Sequence, residues 1–336
     1  MVTVNNSPAV LGFLIFPGFP MACLTSAIEP LRAANEIAGQ TAFAWKLISE
    51  TGDRVRSSAA VSFDPDLALR DVEDLNYLFL LSSPLAPFAT AKATQGHLRR
   101  LARHGMTLGG VSGGVFPMAR AGLLEDHVCS VHWCYEAAFA AEFPHLRTTD
   151  DVIVIDRQRQ TASGAAAVFD LMLHLIDQTL GEDVTTEVAC WFQHPLVRGQ
   201  GVRQKIPTVR GESTSDMLPE TVAQAVRIFA SHIEDPLNVA DVARIVGVSP
   251  RQLERLFKGS TGRSPSQYYR SLRMNAARQL VQYSRDTMTQ IALAVGYATA
   301  TPMVAHYREA FGLTPQQDRK KINLFRVENN RSIPSV

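Results

Sequence analysis

The fold class that the 336-residue sequence predicts is α/β, with a mostly parallel sheet, followed by an all-α domain built on a doubled helix-turn-helix. Strand-length apolar runs alternate with helix-period segments through the first half, as in a sheet covered by helices. The last third repeats itself. Val242-Ala243 and Gly247 recur as Ile291-Ala292 and Gly296, and Gly262-Arg263-Ser264-Pro265 recurs as Gly312-Leu313-Thr314-Pro315, at an offset of 49 to 50 residues. Charge divides the chain in the same way. Pro219 to Lys321 holds 14 Lys and Arg against 8 Asp and Glu, or +6, which leaves −5 for the remainder of a chain whose net charge is +1.

Taken in order, Val10 to Phe16 is a near-continuous apolar run, the pattern of a strand buried on both faces. Pro17-Gly18-Phe19-Pro20 turns the chain into a helix over Met21 to Ala38, with Leu24, Ile28, Leu31 and Ala34 at helical spacing. Ala42 to Ile48 and Ala60 to Phe63 are weaker strands. Tyr77 to Leu81 is a second buried strand and ends in Ser82-Ser83. A helix from Thr94 to His104, with Thr94 as its N-cap, leads to a strand over Thr107 to Val111. Ser112-Gly113-Gly114 then turns into a helix over Val115 to Ala121. Val152 to Ile155 and Gln160 to Ser163 form a hairpin, and helices follow over Ala165 to Leu180 and Glu182 to Phe192.

Val197 to Asp216 mixes Gly, Pro, Ser, Thr and basic residues without periodicity, which is the composition of a linker. The expected organisation is a first domain over 8–196, a linker over 197–217, a second domain over 218–321 and a tail over 322–336. A hydrophobic content of 46% suffices for a core in each domain. The four cysteines, Cys23, Cys129, Cys134 and Cys190, show no CxxC pair or zinc spacing, so they are expected as reduced thiols with no metal and no cofactor. No segment approaches the roughly 18 apolar residues of a membrane span, and the N-terminus has no basic leader, so the expected location is the cytoplasm and no membrane contact is expected.

In each copy of the repeat an alanine sits where a second helix crosses closely, and a glycine opens the turn. The second helix of the first copy starts at Ser249-Pro250, an N-cap followed by proline at the first helical position. Leu253, Leu256 and Phe257 fill its buried stripe, leaving Arg251, Gln252, Arg255 and Lys258 outward. Guanidinium and amide groups in that position suit base edges and phosphates in a major groove. A charge cluster alone reads as a solvated face, but the duplication with matched glycines and caps favours the DNA-reading account. The corresponding helix of the second copy, Thr299 to Ala310, offers Thr299, Thr301, His306 and Arg308, with Pro302 early and Ala305 where a basic residue is common. One long helix over Pro265 to Ser284 joins the copies, with Tyr269, Leu272, Ala276 and Leu280 at helical spacing.

These residues resemble the AraC/XylS family of bacterial transcription regulators, in which two helix-turn-helix units are joined by a long helix. The resemblance implies promoter DNA and RNA polymerase as partners and a homodimer as the working form. In the first domain, Gly110-Val111-Ser112-Gly113-Gly114 matches the G-x-S-x-G elbow, in which a sharp strand-to-helix turn exposes a side chain above the sheet. With His132 twenty residues on and Ala162-Ser163-Gly164-Ala165-Ala166 before a helix, residues Val10 to Leu196 resemble the flavodoxin-like class I glutamine amidotransferase-like (PfpI-type) fold. An amidotransferase-like domain before an AraC-type domain is similar to the GlxA-like regulators.

The chemistry of the amidotransferase-like fold needs a cysteine thiolate at the elbow, often tuned by a carboxylate from the first helix. Here the elbow carries Ser112, the helix position carries Cys23 with Glu29 two turns on, and Ser82-Ser83 stands where a glycine pair is usual. A serine needs a well-oriented histidine, and no acid partner for His132 is evident. The expectation is a pocket kept for sensing rather than catalysis, the competing one a serine hydrolase or amidase tethered to DNA. Ligands of such sheets sit beyond the carboxyl ends of the strands, which places Phe16, Phe19, Ser82, Ser83, Ser112, Gly113, His132 and Trp133 in the candidate effector site. His132, Trp133, Phe16 and Phe19 read equally as packed core. An aromatic lining without Arg or Lys suits a small amine or amino-acid derivative better than a phosphate. The GlxA-like resemblance points to the same class, including arginine, betaine and carnitine types, and implies a ligand-responsive activator of catabolic genes.

Overall fold

In the computed structural model the described residues are 7–194, 197–204 and 218–324, with side chains described to residue 320. The chain divides into two compact units, the first ending at Gln204 and the second at Leu324.

The first unit alternates strand and helix from its start: β1 (Ala9–Ile15), α1 (Met21–Ala38), β2 (Phe43–Ser49), a small hairpin of β3 (Val55–Arg56) and β4 (Ser62–Phe63), and β5 (Leu67–Ala68). It continues as β6 (Tyr77–Ser82), α2 (Ala91–Arg103), β7 (Thr107–Ser112), α3 (Val115–Arg120), β8 (Val128–Ser130), α4 (Glu136–Glu142) and β9 (Arg147–Thr149). The hairpin of β10 (Ile153–Asp156) and β11 (Arg159–Ala162) then precedes α5 (Ala165–Leu180) and α6 (Glu182–Trp191). Among the described residues the main sheet runs β10-β11-β7-β6-β1-β2-β5, parallel throughout except for β10.

The apolar runs form these strands because both faces are covered. Leu11, Phe13 and Ile15 join α1, α5 and α6 in one core, while Leu14, on the opposite face of β1, is equally buried. β1 lies between β6 and β2, so the strand order reverses between β1 and β6, the place where sheets of this kind bind ligands at the carboxyl ends of the strands.

Three expectations need correction. The helix placed at Thr94 starts at Ala91, and Thr94 lies inside it, buried, with Oγ1 donating to Glu50 Oε1 at 2.7 Å. The weak strand over Ala60 to Phe63 shortens to β4, because its partner is β3 and not the main sheet. Residues 197–204, which composition assigned to the linker, are tied to the first unit. Arg198 Nε donates to the fully buried Asp170 at 2.7 Å, Ile155 N donates to Gln200 Oε1, Val152 N donates to the carbonyl of Val202, and Gln204 N donates to the carbonyl of Asp150. The rest of the expected linker and the tail from residue 325 lie outside the described residues, and 322–324 complete the last helix.

The second unit is helical throughout its described length: α7 (Glu220–Ser231), α8 (Val239–Ile245), α9 (Pro250–Thr261), α10 (Pro265–Tyr283), α11 (Met288–Ala294), α12 (Ala300–Phe311) and α13 (Pro315–Leu324). α8 with α9 and α11 with α12 are the two copies of the repeat, and α10 joins them. Gly247 and Gly296 open the two turns at φ 74° and 73°, and Gly262 and Gly312 end the second helices at 68° and 72°. These left-handed positions explain the matched glycines. In the joining helix Tyr269 and Leu280 are buried as expected, whereas Ala276 is half-exposed and its neighbour Ala277 takes the buried position.

Candidate functional site

The second unit presents one candidate reading helix per copy. α9 begins with a reciprocal cap: Gln252 N donates to Ser249 Oγ at 3.3 Å, and Ser249 N donates to Gln252 Oε1 at 2.9 Å. The same device starts α10 with Ser264 and Gln267, α11 with Thr287 and Gln290, and α13 with Thr314 and Gln317. Leu253 and Phe257 are fully buried and Leu256 partly so, which turns Arg251, Gln252, Arg255 and Lys258 to solvent on the opposite face. Ser249 and Gln252 therefore hold the helix start, and Gln252 keeps its amide Nε2 for an outside partner.

α12 differs. Thr299 stands at its N-cap without a side-chain cap bond, and Thr301 and Arg308 are exposed. His306 does not project freely: its ring is half-buried, with Nδ1 2.8 Å from Tyr297 Oη. Burial, reinforced by Arg270, holds this imidazole below its ordinary pKa, so it is neutral near pH 7. The turn before α12 is braced by a residue that pattern reading passed over. Arg273 of α10 donates to the carbonyls of Val295 and Gly296, at 2.7 Å each, and stacks over Tyr297 at 4.1 Å.

In the first unit the elbow is formed. Ser112 ends β7 at φ 54°, an uncommon left-handed conformation for a non-glycine residue, and it is buried beside its register partner Ser82 at the end of β6. A Cβ on Gly113 would collide with the carbonyl of Ser82, and one on Gly114 with that of Leu80, so only glycine lets α3 start this close to β6. Phe16 follows β1 and packs edge-on against Phe88, a neighbour that sequence reading missed. A Cβ placed on Gly164 would lie 3.3 Å from His132 Cδ2, which puts the imidazole against the start of α5, just past the end of β11. Phe16, Ser82, Ser83, Ser112, Gly113 and His132 thus line up along the carboxyl ends of the adjacent strands β1, β6, β7 and β11. Phe19 does not join them. It is fully buried in the main core, edge-on to Phe63.

The groups around the elbow are not arranged for nucleophilic catalysis. His132 Nδ1 faces Cys134, 2.9 Å from Sγ and 3.3 Å from the backbone N–H that donates to it. Burial holds His132 below its ordinary pKa. Among the described residues the Ser112 hydroxyl has no hydrogen-bond partner. Cys23, at the helix position of the usual carboxylate, is a buried thiol whose pKa burial pushes up to about 12, and Glu29 is spent on a surface pair with Arg32 at 3.0 Å. Trp133 is half-exposed beside His132, at 5.5 Å between ring centroids, and its backbone N–H donates to Gln204 Oε1 at 2.9 Å. Gln204 Nε2 in turn donates to the carbonyl of Val131 at 2.8 Å, so one side chain clasps the loop on both sides of His132. No local pattern marks Gln204, which lies in a stretch of linker composition.

Residues 242–321 match a helix-turn-helix domain family. The chain is 32% identical to the HTH-type transcriptional regulator GbdR of Pseudomonas aeruginosa over 94% of its own length and 85% of the relative's. It is 31% identical to the HTH-type transcriptional regulator GlxA of Rhizobium meliloti over 93% and 95% of the two chains. A solved AraC family transcriptional regulator from Pseudomonas putida, 28% identical, superposes with a TM-score of 0.50 over 55% of this chain and all of that one. No described helix is long and apolar enough to cross a membrane. The two named relatives are both HTH-type transcriptional regulators, and their alignments span both units. The chain is a DNA-binding transcription regulator and belongs to the GlxA-like branch of the AraC family.

Proposed function

We propose that α9 is the principal reading helix and that the first unit senses a small amine or amino-acid-derived metabolite, so that effector binding alters promoter engagement and activates catabolic genes from the cytoplasm. The observation that carries the DNA half is the capped helix with Arg251, Gln252, Arg255 and Lys258 exposed on one face, in a unit of net charge +6. Thr299, Thr301 and Arg308 of α12 form the second contact surface. His306 acts there by fixing Tyr297 rather than by reaching a base.

The effector half rests on the row of groups along the strand ends. Phe16, Ser82, Ser83, Ser112, Gly113, His132 and Trp133 combine aromatic surface with neutral hydrogen-bonding groups, and His132 is neutral, so the site suits a cation or zwitterion more than a phosphate. A homodimer that contacts RNA polymerase is the working form we infer for the family architecture.

The test is a DNA-binding titration of the full chain on a duplex enriched from a random pool, with and without a panel of quaternary amines and amino-acid catabolites. At least one compound shifts affinity and raises the melting temperature of the protein, and Trp133→Ala removes that response. A response confined to phosphorylated sugars or nucleotides sinks the effector assignment and leaves the DNA assignment standing.

A further inference from the structure

The two reading helices correspond residue for residue in sequence and burial at an offset of 50, and their exposed positions carry opposite chemistry. Arg251, Gln252 and Arg255 of α9 correspond to Thr301, Pro302 and Ala305 of α12, and all six are exposed. The buried positions correspond equally well: Leu253 and Phe257 to Met303 and Tyr307, each fully buried. The register is therefore fixed by packing, and the outward residues occupy equivalent places in their two motifs. In the first copy those places hold long side chains with hydrogen-bond donors. In the second they hold three short ones, whose only polar group is the Thr301 hydroxyl. Lys258 and Arg308, one turn further on, keep a cation in both.

A major-groove base edge is read either through donors and acceptors or through the one apolar group it presents, the thymine C5 methyl, for which alanine and the threonine methyl are natural partners. Neither Pro302 nor Ala305 has a donor or an acceptor on its side chain. His306, the nearest imidazole, is held back on Tyr297. Short side chains also allow the helix axis to approach the base edges more closely than arginines would.

We propose that α12 reads thymine methyl groups through Thr301, Pro302 and Ala305, so that the operator consists of two unlike halves: one recognised by hydrogen bonds from α9, the other by apolar contact from α12 to a thymine-bearing step. Arg308 supplies the phosphate contact that holds α12 in place. This rests on α9 and α12 both being reading helices, as proposed above.

The experiment uses the full chain and a duplex enriched by it from a random pool, in which each thymine is replaced in turn by uracil. That replacement removes a single methyl and leaves every hydrogen bond intact. The expected result is a loss of about fourfold in affinity for each contacted methyl, confined to one half of the site. The double variant Thr301→Ser with Ala305→Gly should lose most of the discrimination between the thymine and uracil duplexes, leaving only the contact from Pro302, while Arg255→Ala should keep the discrimination at lower affinity. Thermal melting of the double variant confirms that it is folded, and the substitutions in the DNA need no such check. If uracil is neutral at every position while Arg255→Ala weakens binding, methyl reading by α12 is wrong and the α9 assignment survives. Uracil sensitivity abolished by Arg255→Ala would move the methyl contact to the first helix and likewise overturn the proposal. Indifference to all of these changes would remove the reading-helix assignment itself.

Discussion

The two helix-turn-helix copies share a backbone plan but not a core. In the first, Phe229, Phe257, Tyr268 and Tyr269 pack ring on ring, with Phe229 and Tyr269 stacked at 4.2 Å and Phe257 edge-on to Tyr268 at 5.6 Å. In the second, Tyr307 replaces Phe257 and Asp318 replaces Tyr268. The Asp318 side chain is 3% exposed and accepts hydrogen bonds from Tyr307 Oη at 2.7 Å and Arg278 Nε at 2.8 Å, with Gln282 Nε2 at 3.4 Å. Burial alone would raise the Asp318 carboxyl, but the Tyr307 and Arg278 hydrogen bonds outweigh it and hold the group below the usual carboxylate range. The Tyr307 hydroxyl is pushed strongly upward, first by burial and then by the same carboxylate. One copy is thus held by apolar area, which is insensitive to pH. The other depends on a paired buried charge, whose desolvation is offset only while all partners are present.

The largest expected effect that tests this contrast is on the apolar side. Phe257→Ala removes a fully buried ring and should destabilise the second unit by about 3–5 kcal/mol, to a similar extent at pH 5 and pH 8, read by scanning calorimetry of the full chain. A loss that varies strongly with pH would show that the first core is not apolar in its energetics.

Next comes the polar side. Asp318→Ala leaves Tyr307 and Arg278 without their acceptor and should cost about 2–4 kcal/mol near neutral pH. Because the folded pKa is lowered, this stabilisation is present above the unfolded value of about 4 and lost as pH falls through the folded value. The gap between wild type and Asp318→Ala should therefore shrink in acid. A gap that persists unchanged at pH 3 would mean that the carboxylate charge contributes nothing and only packing is lost.

The smallest effect concerns what the copies share. Lys258→Ala and Arg308→Ala should each reduce the slope of log affinity against log salt by about 1. If only Lys258→Ala does so, the second copy does not touch the phosphate backbone, and the asymmetry in the cores extends to the outer surface.

Much of the fold was legible because its signals are local. Glycines at left-handed turns, Ser-Pro and Thr-Pro starts and a 3.6-residue apolar stripe mark both copies, and the stripe alone turned Arg251, Gln252, Arg255 and Lys258 outward. The candidate sensing row was legible where it followed strand ends, at Phe16, Ser82 and Ser112, and through the elbow motif. What stayed hidden depends on partners distant in sequence. Asp318 reads as a surface residue on a polar helix until Arg278, forty residues earlier, is seen beside it. His306 passes for an outward polar group because nothing in its own helix announces Tyr297. Phe19 read as a site residue or as core, and only its packing on Phe63, distant in sequence, decides for the core. Thr94 has the residue type of a cap but serves Glu50 instead.

The clasp on Asp170 bears on where this chain can be divided. The carboxylate is fully buried, and its two side-chain partners, His194 at 2.6 Å and Arg198 at 2.7 Å, both lie beyond the last helix of the first unit. A fragment that stops at the compositional boundary near residue 196 keeps the carboxylate but discards Arg198, and it also discards Gln204, which holds the Trp133 loop. The smallest fragment that keeps these contacts of the first unit is therefore longer than its secondary structure suggests and ends no earlier than Gln204. A protease or a gene fusion that separates the two units must act downstream of that residue to leave the Trp133 loop as it stands in the intact chain.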